Sequence, residues 1–467
     1  MAGIGFALRR LTRRDDLLGA VQGYAYSAMI AAGPWLLTIF AIAAVSMLAT
    51  PAIGLANVAT FRVILIYNFG FSLVIAGPIV LAGTRFLADA IFDRSVDTAP
   101  GMLFTSLTLI GGLSAPFVVV FYGFVADLTM EVRLAAMINY FVIAGIWVVA
   151  IFLSALKDYA TFVGIFLLGT LAAAVGGAVL AVYLGTAGLL LGFTAGLGLI
   201  MFTMIARILA EYPYMPVRPF AVFAHARRYW ELPVSGFVYN LGIWADKWVM
   251  WLAPQHEIIA GAMVTYPDYD GAMFLAYLTI VPAMALFTVS TETRFFEAYQ
   301  TFYRAIGRHA NWREIRENHR AITHAINDSA RNLLLLQGAI SFVAILLAPD
   351  IVSALAGNYV QVGIYRLGVL GAFFHVMFLF ATILISYFDL RRLMLELQIV
   401  FLVSNIVLTV ASLLAGFPWY GYGYFAATLL SFTLSVLVLG RVAQRLPYLA
   451  FVRHNPGIAR FLIGRDP

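Results

Sequence analysis

Twelve apolar stretches, each long enough to cross a lipid bilayer, occupy almost the whole of this 467-residue chain. A membrane-spanning helix needs about 20 mainly apolar residues to cross roughly 30 Å of hydrocarbon. With 63% hydrophobic and only 11% charged residues, the chain has too few polar side chains to cover a water-exposed surface. The predicted fold class is an all-α integral membrane protein, with spans at 20–49, 58–82, 102–125, 134–156, 160–183, 186–208, 230–252, 271–294, 332–355, 364–387, 393–414 and 421–444.

Positive charge predicts the orientation of these spans. Lys and Arg are retained on the cytoplasmic side of a membrane, and all but four of the 29 basic residues fall on one side of the predicted topology. The exceptions are Arg62, Arg133 and Arg366 on the opposite face and Lys247 inside a span. An even number of crossings then places both termini in the cytoplasm. The net charge of +6 reflects this topology and attraction to anionic lipids, and does not indicate a nucleic-acid partner.

A proline-interrupted basic connection, residues 211–229, leaves six spans on each side. It predicts an N-terminal six-helix lobe at 20–210 and a C-terminal lobe at 230–445. An amphipathic segment, 1–19, precedes them and a basic tail, 446–467, follows. Two such lobes around a central cavity are a recurrent architecture of secondary transporters, which open the cavity alternately to each side of the membrane.

Small residues recur at every fourth position of the sixth predicted span, at Gly188, Gly192 and Gly196. This spacing lets another helix approach closely. We expect the motif to pack helices within the lobe, with dimerisation as the alternative.

Charge at membrane depth marks the candidate substrate pathway, because a buried ionisable group is costly and usually faces a cavity, a partner or a pathway. Asp246 and Lys247 are neighbours in the seventh span, and adjacent residues on a helix do not face each other. We therefore expect each to have its own partner or water. Two interpretations stay open: a pathway or gate, and a membrane anchor in which Lys247 reaches the headgroups beside Trp244, Trp248 and Trp251.

Other polar side chains near the membrane extend this hypothesis. An asparagine amide can bond a sugar hydroxyl, although bonding between helices is its commoner use. A lone histidine among aromatic rings can pack or relay protons, and charges near span ends can snorkel to the surface. The predicted pathway set is Asp246, Lys247, Trp244, Asn240, Asn68, Arg62, Glu292, Arg294 and His375.

The longest predicted cytoplasmic segment, residues 295–331, alternates apolar and basic side chains. Such a pattern is typical of a helix lying on the inner leaflet, and it also fits a docking face for a cytoplasmic partner. The predicted partner-facing residues are Arg304, Arg308, Arg313, Arg316 and Arg320.

No enzyme motif is found in the chain. It contains no cysteine, its seven histidines lack metal-ligand spacing, and it has neither a phosphate-binding glycine loop nor a nucleophile elbow. We therefore predict a transporter without a metal or cofactor.

Several stretches rich in polar residues carry a more specific resemblance. They are Met1-Ala2-Gly3-Ile4-Gly5-Phe6, Gly33-Pro34-Trp35, Ala245-Asp246-Lys247-Trp248, Pro267-Asp268-Tyr269-Asp270, Thr291-Glu292-Thr293 and Tyr387-Phe388-Asp389. Together they resemble the PelG family, the membrane transporters of bacterial Pel exopolysaccharide systems.

The resemblance implies a fold like that of the MOP/MATE exporters and export of an N-acetylgalactosamine-rich polymer across the bacterial inner membrane. It also implies PelD-, PelE- and PelF-like partners, the last a cytoplasmic glycosyltransferase. An ion-coupled exporter of small molecules or of lipid-linked oligosaccharides with the same architecture is the alternative. A membrane glycosyltransferase is less favoured, because the longest predicted outer loop, 253–270, is short and has no Lys or Arg. A scaffold role is a third possibility.

Overall fold

The computed structural model describes residues 17–152, 159–217, 219–354 and 357–453. Most of the predicted N-terminal segment and of the C-terminal tail lies outside these residues. The same is true of the Glu292 side chain.

Helices account for nearly all of the described chain. The first half contains α1 (Leu17–Ile53), α2 (Leu55–Phe92), α3 (Ala99–Val120), α4 (Met130–Val149), α5 (Tyr159–Glu211), α6 (Ala221–Arg228) and α7 (Glu231–Met250). The second half contains α8 (Pro267–Leu278), α9 (Val281–Ser290), α10 (Phe296–Gly307), α11 (Trp312–Leu346), α12 (Ala348–Ala354), α13 (Gln361–Tyr387), α14 (Arg391–Ala415), α15 (Tyr422–Gln444) and α16 (Leu446–Tyr448).

Short turns and one hairpin join these helices. A π-helical turn, Phe121–Val125, extends α3, and another, Thr291–Phe295, joins α9 to α10. The strands β1 (Glu257–Ile259) and β2 (Met263–Thr265) form an antiparallel hairpin between α7 and α8, in which Ile258 pairs with Val264.

Ten segments of the described chain are long and apolar enough to cross a membrane. One of them, Thr161–Glu211, has a sharp bend at Gly185 and so supplies two membrane-length arms. The 20-residue helix α7 is not among the ten, because Asn240, Asp246 and Lys247 lower its hydropathy, but it is long enough to cross. The predicted all-α fold with about twelve spans is confirmed.

The bend in α5 depends on glycine. Gly185 has φ +57° and ψ −138°, a conformation that residues with a β-carbon rarely adopt. The two arms then run antiparallel in contact, and a Cβ on Gly192 would lie 2.2 Å from the Gly176 carbonyl oxygen. The expectation that the glycines of the sixth span pack helices within the lobe is therefore confirmed.

By packing, the chain divides into two compact units. The first comprises the described residues of Met29–Ala272 and Gln398–Gly423. The second comprises residues 17–28 at the start of α1, together with the described residues of Met273–Leu397 and those from Tyr424 onward. In the first unit, α2 lies at the centre and packs against α4 and α7. In the second unit, α13 packs against α11, and α13 is the most buried span of that unit. The division into six-helix lobes at 211–229 stays a prediction, since lobes of a transporter are defined by what moves together.

The basic segment predicted at 295–331 forms α10 and the first half of α11. Asn311 caps α11, and its side chain accepts a hydrogen bond of 2.9 Å from the Glu314 N–H. Since α11 continues without a break to Leu346, the segment predicted to be cytoplasmic and the following span are one helix. Phe302 and Ile315 are buried. All five predicted partner-facing arginines are exposed, so the amphipathic pattern is confirmed.

Candidate functional site

The helices α2 and α7 pack so closely that their backbones touch. A Cβ on Gly236 would lie 2.2 Å from the Gly77 carbonyl oxygen, and one on Gly77 would lie 2.5 Å from Nδ2 of Asn240. Only residues without a side chain permit this distance between helix axes. Asn240 adds a polar contact, because its Nδ2 donates to the Leu73 carbonyl oxygen at 3.3 Å. We call the contact between these two helices the α2–α7 seam.

At the other end of this seam the contact is aromatic. The rings of Phe71 and Trp248 stack with centroids 4.7 Å apart, and those of Tyr67 and Trp251 stack at 5.0 Å. Trp244 covers Gly70, where a Cβ would lie 3.1 Å from the indole. The three tryptophans therefore pack against α2, and their interpretation as an aromatic belt in the headgroup region stays a prediction.

Asp246 and Lys247 form an ion pair with each other. The Lys247 Nζ lies 3.0 Å from both carboxylate oxygens and also donates to the Ile243 carbonyl oxygen at 3.1 Å. Asp246 is fully buried and Lys247 is 9% exposed, so the ammonium is enclosed by the protein and does not extend from its surface. The expectation of separate partners was wrong, because the long lysine side chain turns back along its own helix.

Two further helices donate hydrogen bonds to this ion pair. The Tyr269 hydroxyl donates to Asp246 Oδ2 at 3.1 Å, and Asn405 Nδ2 donates to the Gly242 carbonyl oxygen at 2.9 Å while lying 3.5 Å from Asp246 Oδ1. The buried charges are thus paired and hydrogen-bonded, as burial requires. The cluster holds α7, α8 and α14 together and leaves little capacity to bind a ligand in this conformation.

Asp270 has a different environment, and sequence reasoning missed it. Its Oδ2 accepts hydrogen bonds from Trp251 Nε1 at 2.9 Å, Thr265 Oγ1 at 3.0 Å and the Tyr266 N–H at 3.2 Å. Its Oδ1 is buried and has no hydrogen-bond partner among the described residues. This oxygen can accept a proton, a hydroxyl group or a cation. The available signal was the pair Asp268 and Asp270 at the start of an apolar span.

The phenol of Tyr266 stays protonated. Burial raises the pKa of Tyr266 to about 12, and the nearby Asp268 carboxylate acts in the same direction. The Tyr266 phenol therefore contributes no charge, and the contact of this residue with Asp270 is made by its backbone N–H.

Asn68 lies in a separate buried network within the first unit. Its Nδ2 donates to the Ala136 carbonyl oxygen at 3.1 Å and to Asn139 Oδ1 at 2.8 Å, and its Oδ1 accepts from the Tyr122 hydroxyl at 2.6 Å. Asn139 in turn donates to Thr194 at 2.9 Å. Both amide hydrogens of Asn68 are used within the protein, so none is left for a sugar hydroxyl here.

The remaining predicted pathway residues have other local contacts. Arg62 is exposed and donates from Nε to Ser46 Oγ at 3.2 Å, and Arg294 is exposed in the second π-helical turn. His375 is buried in the second unit, with Nδ1 3.0 Å from the Tyr424 hydroxyl oxygen. Of the predicted set, the structure groups Asn240, Trp244, Asp246 and Lys247 on α7. No group of three or more His, Asp or Glu side chains suited to a metal occurs among the described residues.

Comparison with known proteins identifies the family. A model of the PelG family, described as "Putative exopolysaccharide Exporter (EPS-E)", matches residues 1–451. The chain belongs to the PelG family. The resemblance predicted from short polar stretches is confirmed, and the chain is a member of a transporter family and not an enzyme. No protein of curated function matches it.

Solved structures show the fold of this PelG-family protein. It is similar to an outward-facing multidrug-resistance MATE transporter of the MOP superfamily (TM-score 0.64, 14% identity, covering 94% of this chain and 98% of that one). It is also similar to a MOP superfamily transporter from Pyrococcus furiosus (TM-score 0.63, 14% identity, covering 94% of this chain and 98% of that one). A MATE transporter in the straight conformation is similar to the same degree (TM-score 0.62, 15% identity, covering 94% of this chain and 99% of that one). The predicted MOP/MATE-like fold of a multi-pass membrane protein is confirmed.

Proposed function

We propose that this protein exports an N-acetylgalactosamine-rich polysaccharide of the Pel type across the bacterial inner membrane, through a passage between its two predicted helical lobes. The observation that carries the proposal is the match of an exopolysaccharide-exporter family model to residues 1–451. The MATE-like fold supports transport as the activity. The sugar chemistry rests on the resemblance carried by the polar stretches of the sequence.

The α2–α7 seam supports a mechanism for this export. The helix α2 belongs to the predicted N-terminal lobe and α7 to the C-terminal lobe, so alternating access requires the seam to part. Its parting would separate Phe71 from Trp248 and Tyr67 from Trp251, and each ring would then present a free face. Aromatic faces suit a sliding glycan, because they pack against the C–H surface of many sugar units without holding one tightly.

A cytoplasmic assembly completes the proposal. We place PelD-, PelE- and PelF-like partners on the predicted cytoplasmic side, where the exposed Arg316 and Arg320 have no ion-pair partner among the described residues. Both termini would lie on the same side. A glycosyltransferase held there would pass the growing chain directly into the passage.

Deletion of the gene, with complementation by the full-length chain, tests the function. Polymer would be assayed separately in cytoplasm, periplasm and medium with a lectin specific for N-acetylgalactosamine. We expect the deletion to abolish periplasmic and external polymer and the full chain to restore it. Unchanged export in the deletion strain would overturn the proposal, and polymer lacking N-acetylgalactosamine would overturn the substrate class alone.

One observation favours a second function, an ion-coupled exporter of small molecules or lipid-linked oligosaccharides. The buried Asp270 Oδ1 has no hydrogen-bond partner among the described residues, and a buried carboxylate that can gain and lose a cation is what ion coupling requires. This function predicts transport by the purified chain in vesicles with an imposed proton or sodium gradient and no glycosyltransferase.

A further inference from the structure

The connection between α5 and α7 exposes an unusual number of apolar side chains. Met215 is 85% exposed and Phe220 is 72% exposed, although both are large and apolar. Four more residues of this connection are exposed and also large and apolar, and we call the set the linker surface: Tyr214, Met215, Val217, Phe220, Phe223 and Trp230. So dense a patch on a connecting segment indicates an apolar partner.

The linker surface is held firmly to neighbouring helices of the same unit. Thr105 of α3 donates to the Pro219 carbonyl oxygen at 2.7 Å, and a Cβ on Gly101 would lie 2.5 Å from the Val217 carbonyl oxygen. Farther along, His225 Nε2 lies 3.5 Å from the Asp89 carboxylate of α2. The described residues of the connection are therefore packed against α3 and α2, and the apolar side chains of the linker surface are exposed.

These contacts also place the connection along a candidate membrane span. Gly101 and Thr105 lie inside the membrane-length segment Val96–Val125. At 1.5 Å per residue, Thr105 is roughly 9 Å along the helix from the start of α3. The connection thus runs beside the first turns of this segment. When Val96–Val125 crosses a membrane, that position corresponds to the boundary between headgroups and acyl chains. Phe104, next to this contact, is itself exposed.

The charge of the connection suits an anionic surface. No Asp or Glu occurs between Glu211 and Glu231, whereas Arg227 and Arg228 are both exposed at the end of α6. Aromatic side chains with adjacent arginines are typical of membrane interfaces, and basic residues near an anionic leaflet are attracted to it.

We propose that the linker surface is embedded in the cytoplasmic leaflet, where Arg227 and Arg228 bind the headgroups of anionic phospholipids. This goes beyond polysaccharide export, since it assigns a lipid site to the connection between the predicted lobes. The depth of the Gly101 and Thr105 contacts favours lipid over a cytoplasmic protein, which would need the surface to stand clear of the membrane.

The depth is testable without background labelling, because the chain has no cysteine. Met215→Cys and Phe220→Cys would each carry a nitroxide, with the full chain in lipid nanodiscs. Arg313→Cys, on a side chain that is 90% exposed on α11, is the control. We expect molecular oxygen, which dissolves in lipid, to accelerate the electron-spin relaxation of the two linker labels strongly, and a water-soluble nickel chelate to accelerate it weakly. At position 313 the chelate should have the strong effect and oxygen the weak one. Strong relaxation of both linker labels by the chelate would overturn the proposal, whether or not a partner protein later shielded them.

The headgroup contact needs a second measurement. Native mass spectrometry would count phosphatidylglycerol molecules retained by the wild type, by Arg227→Gln/Arg228→Gln, and by the matched variant Arg313→Gln/Arg316→Gln. We expect a several-fold loss of retained lipid in the first variant and little loss in the second. Equal retention by all three would remove the arginines from the proposal. If the first variant fails to fold, retention of phosphatidylglycerol over phosphatidylcholine by the wild type is compared with Arg227→Gln alone.

Discussion

A buried ion pair between sequence neighbours is the most informative feature at the scale of single residues. Asp246 and Lys247 neutralise each other at 3.0 Å within α7, and Tyr269 adds a hydrogen bond from α8. A pair satisfied in this way can be retained inside a membrane, where either charge alone would be costly. Its geometry therefore indicates a structural role in this conformation.

Removing one charge of this pair should be more harmful than removing both. Asp246→Asn removes the carboxylate that lies 3.0 Å from the buried Lys247 ammonium, and we expect a loss of roughly 3–5 kcal/mol of stability. The double variant Asp246→Asn/Lys247→Met should recover most of it. Thermal unfolding of the detergent-purified protein, followed by tryptophan fluorescence, measures the stability of the single and of the double variant. Asp350→Asn, at an exposed position, is the control. A double variant no more stable than the single one would contradict the structural role.

Asp270 should behave differently from Asp246. In Asp270→Asn the amide oxygen can still accept the hydrogen bonds from Trp251, Thr265 and the Tyr266 N–H, so we expect near-normal stability. Export should fall several-fold if the free oxygen of Asp270 binds a cation or a hydroxyl group. Thr265→Val, which removes one donor and keeps the carboxylate, should export normally. Wild-type export by Asp270→Asn would exclude a role for this oxygen in transport.

At the scale of helices, close packing through glycine fixes the positions of the spans. The two arms of α5 meet at Gly176 and Gly192, and α2 meets α7 at Gly77 and Gly236. In both places a side chain would have to occupy the space of a neighbouring backbone, which cannot move as a flexible side chain can.

The packing within α5 predicts a sharp contrast between two glycines of the same arm. Gly192→Leu would place its Cβ 2.2 Å from a backbone oxygen, whereas a Cβ on Gly198 meets nothing within 4 Å. We expect Gly192→Leu to lose about 1–3 kcal/mol or more and Gly198→Leu to be almost neutral. Folded yield by fluorescence-detected size exclusion checks this. Similar yields for both variants would show that the arms are not in contact.

The α2–α7 seam predicts which cross-link stops transport. In the double variant Phe71→Cys/Trp248→Cys, a short bifunctional thiol reagent should join α2 to α7, because the native ring centroids are 4.7 Å apart. Phe69→Cys/Trp147→Cys is the matched control, since this 6.4 Å pair joins α2 to α4 within one predicted lobe. Export is compared before and after cross-linking. We expect the first link to abolish export and the second to leave it unchanged; export through a linked seam would show that the seam does not open.

At the scale of the whole molecule, membrane topology carries the largest consequence. The predicted orientation places the β1–β2 hairpin outside the cell membrane and the basic half of α11 inside it. Every proposed partner and the lipid site depend on this assignment.

Labelling of single cysteines decides the orientation. In spheroplasts, a membrane-impermeant maleimide should modify Glu257→Cys in β1 and should modify Arg313→Cys only after permeabilisation. Both residues are exposed, so differences in labelling report the side of the membrane and not burial. The reverse pattern would invert the topology and move the proposed partners to the other side.

The sequence by itself determined the class of molecule, the number and approximate ends of the spans, and the family. These follow from hydropathy and short polar motifs, which are local properties and need no knowledge of neighbours. The close contact between the two arms of α5 was also predictable, because the spacing of Gly188, Gly192 and Gly196 indicates close helix packing.

Only the tertiary structure decided which polar groups are satisfied. Spacing along α7 suggested that Asp246 and Lys247 point apart, but a long side chain and donors from α8 and α14 override that spacing. The same limit hid Asp270, whose second oxygen is distinguished by the absence of a donor in the described structure. Hydrogen-bond satisfaction depends on residues far apart in the chain, such as Asp246 and Asn405, so the fold decides it.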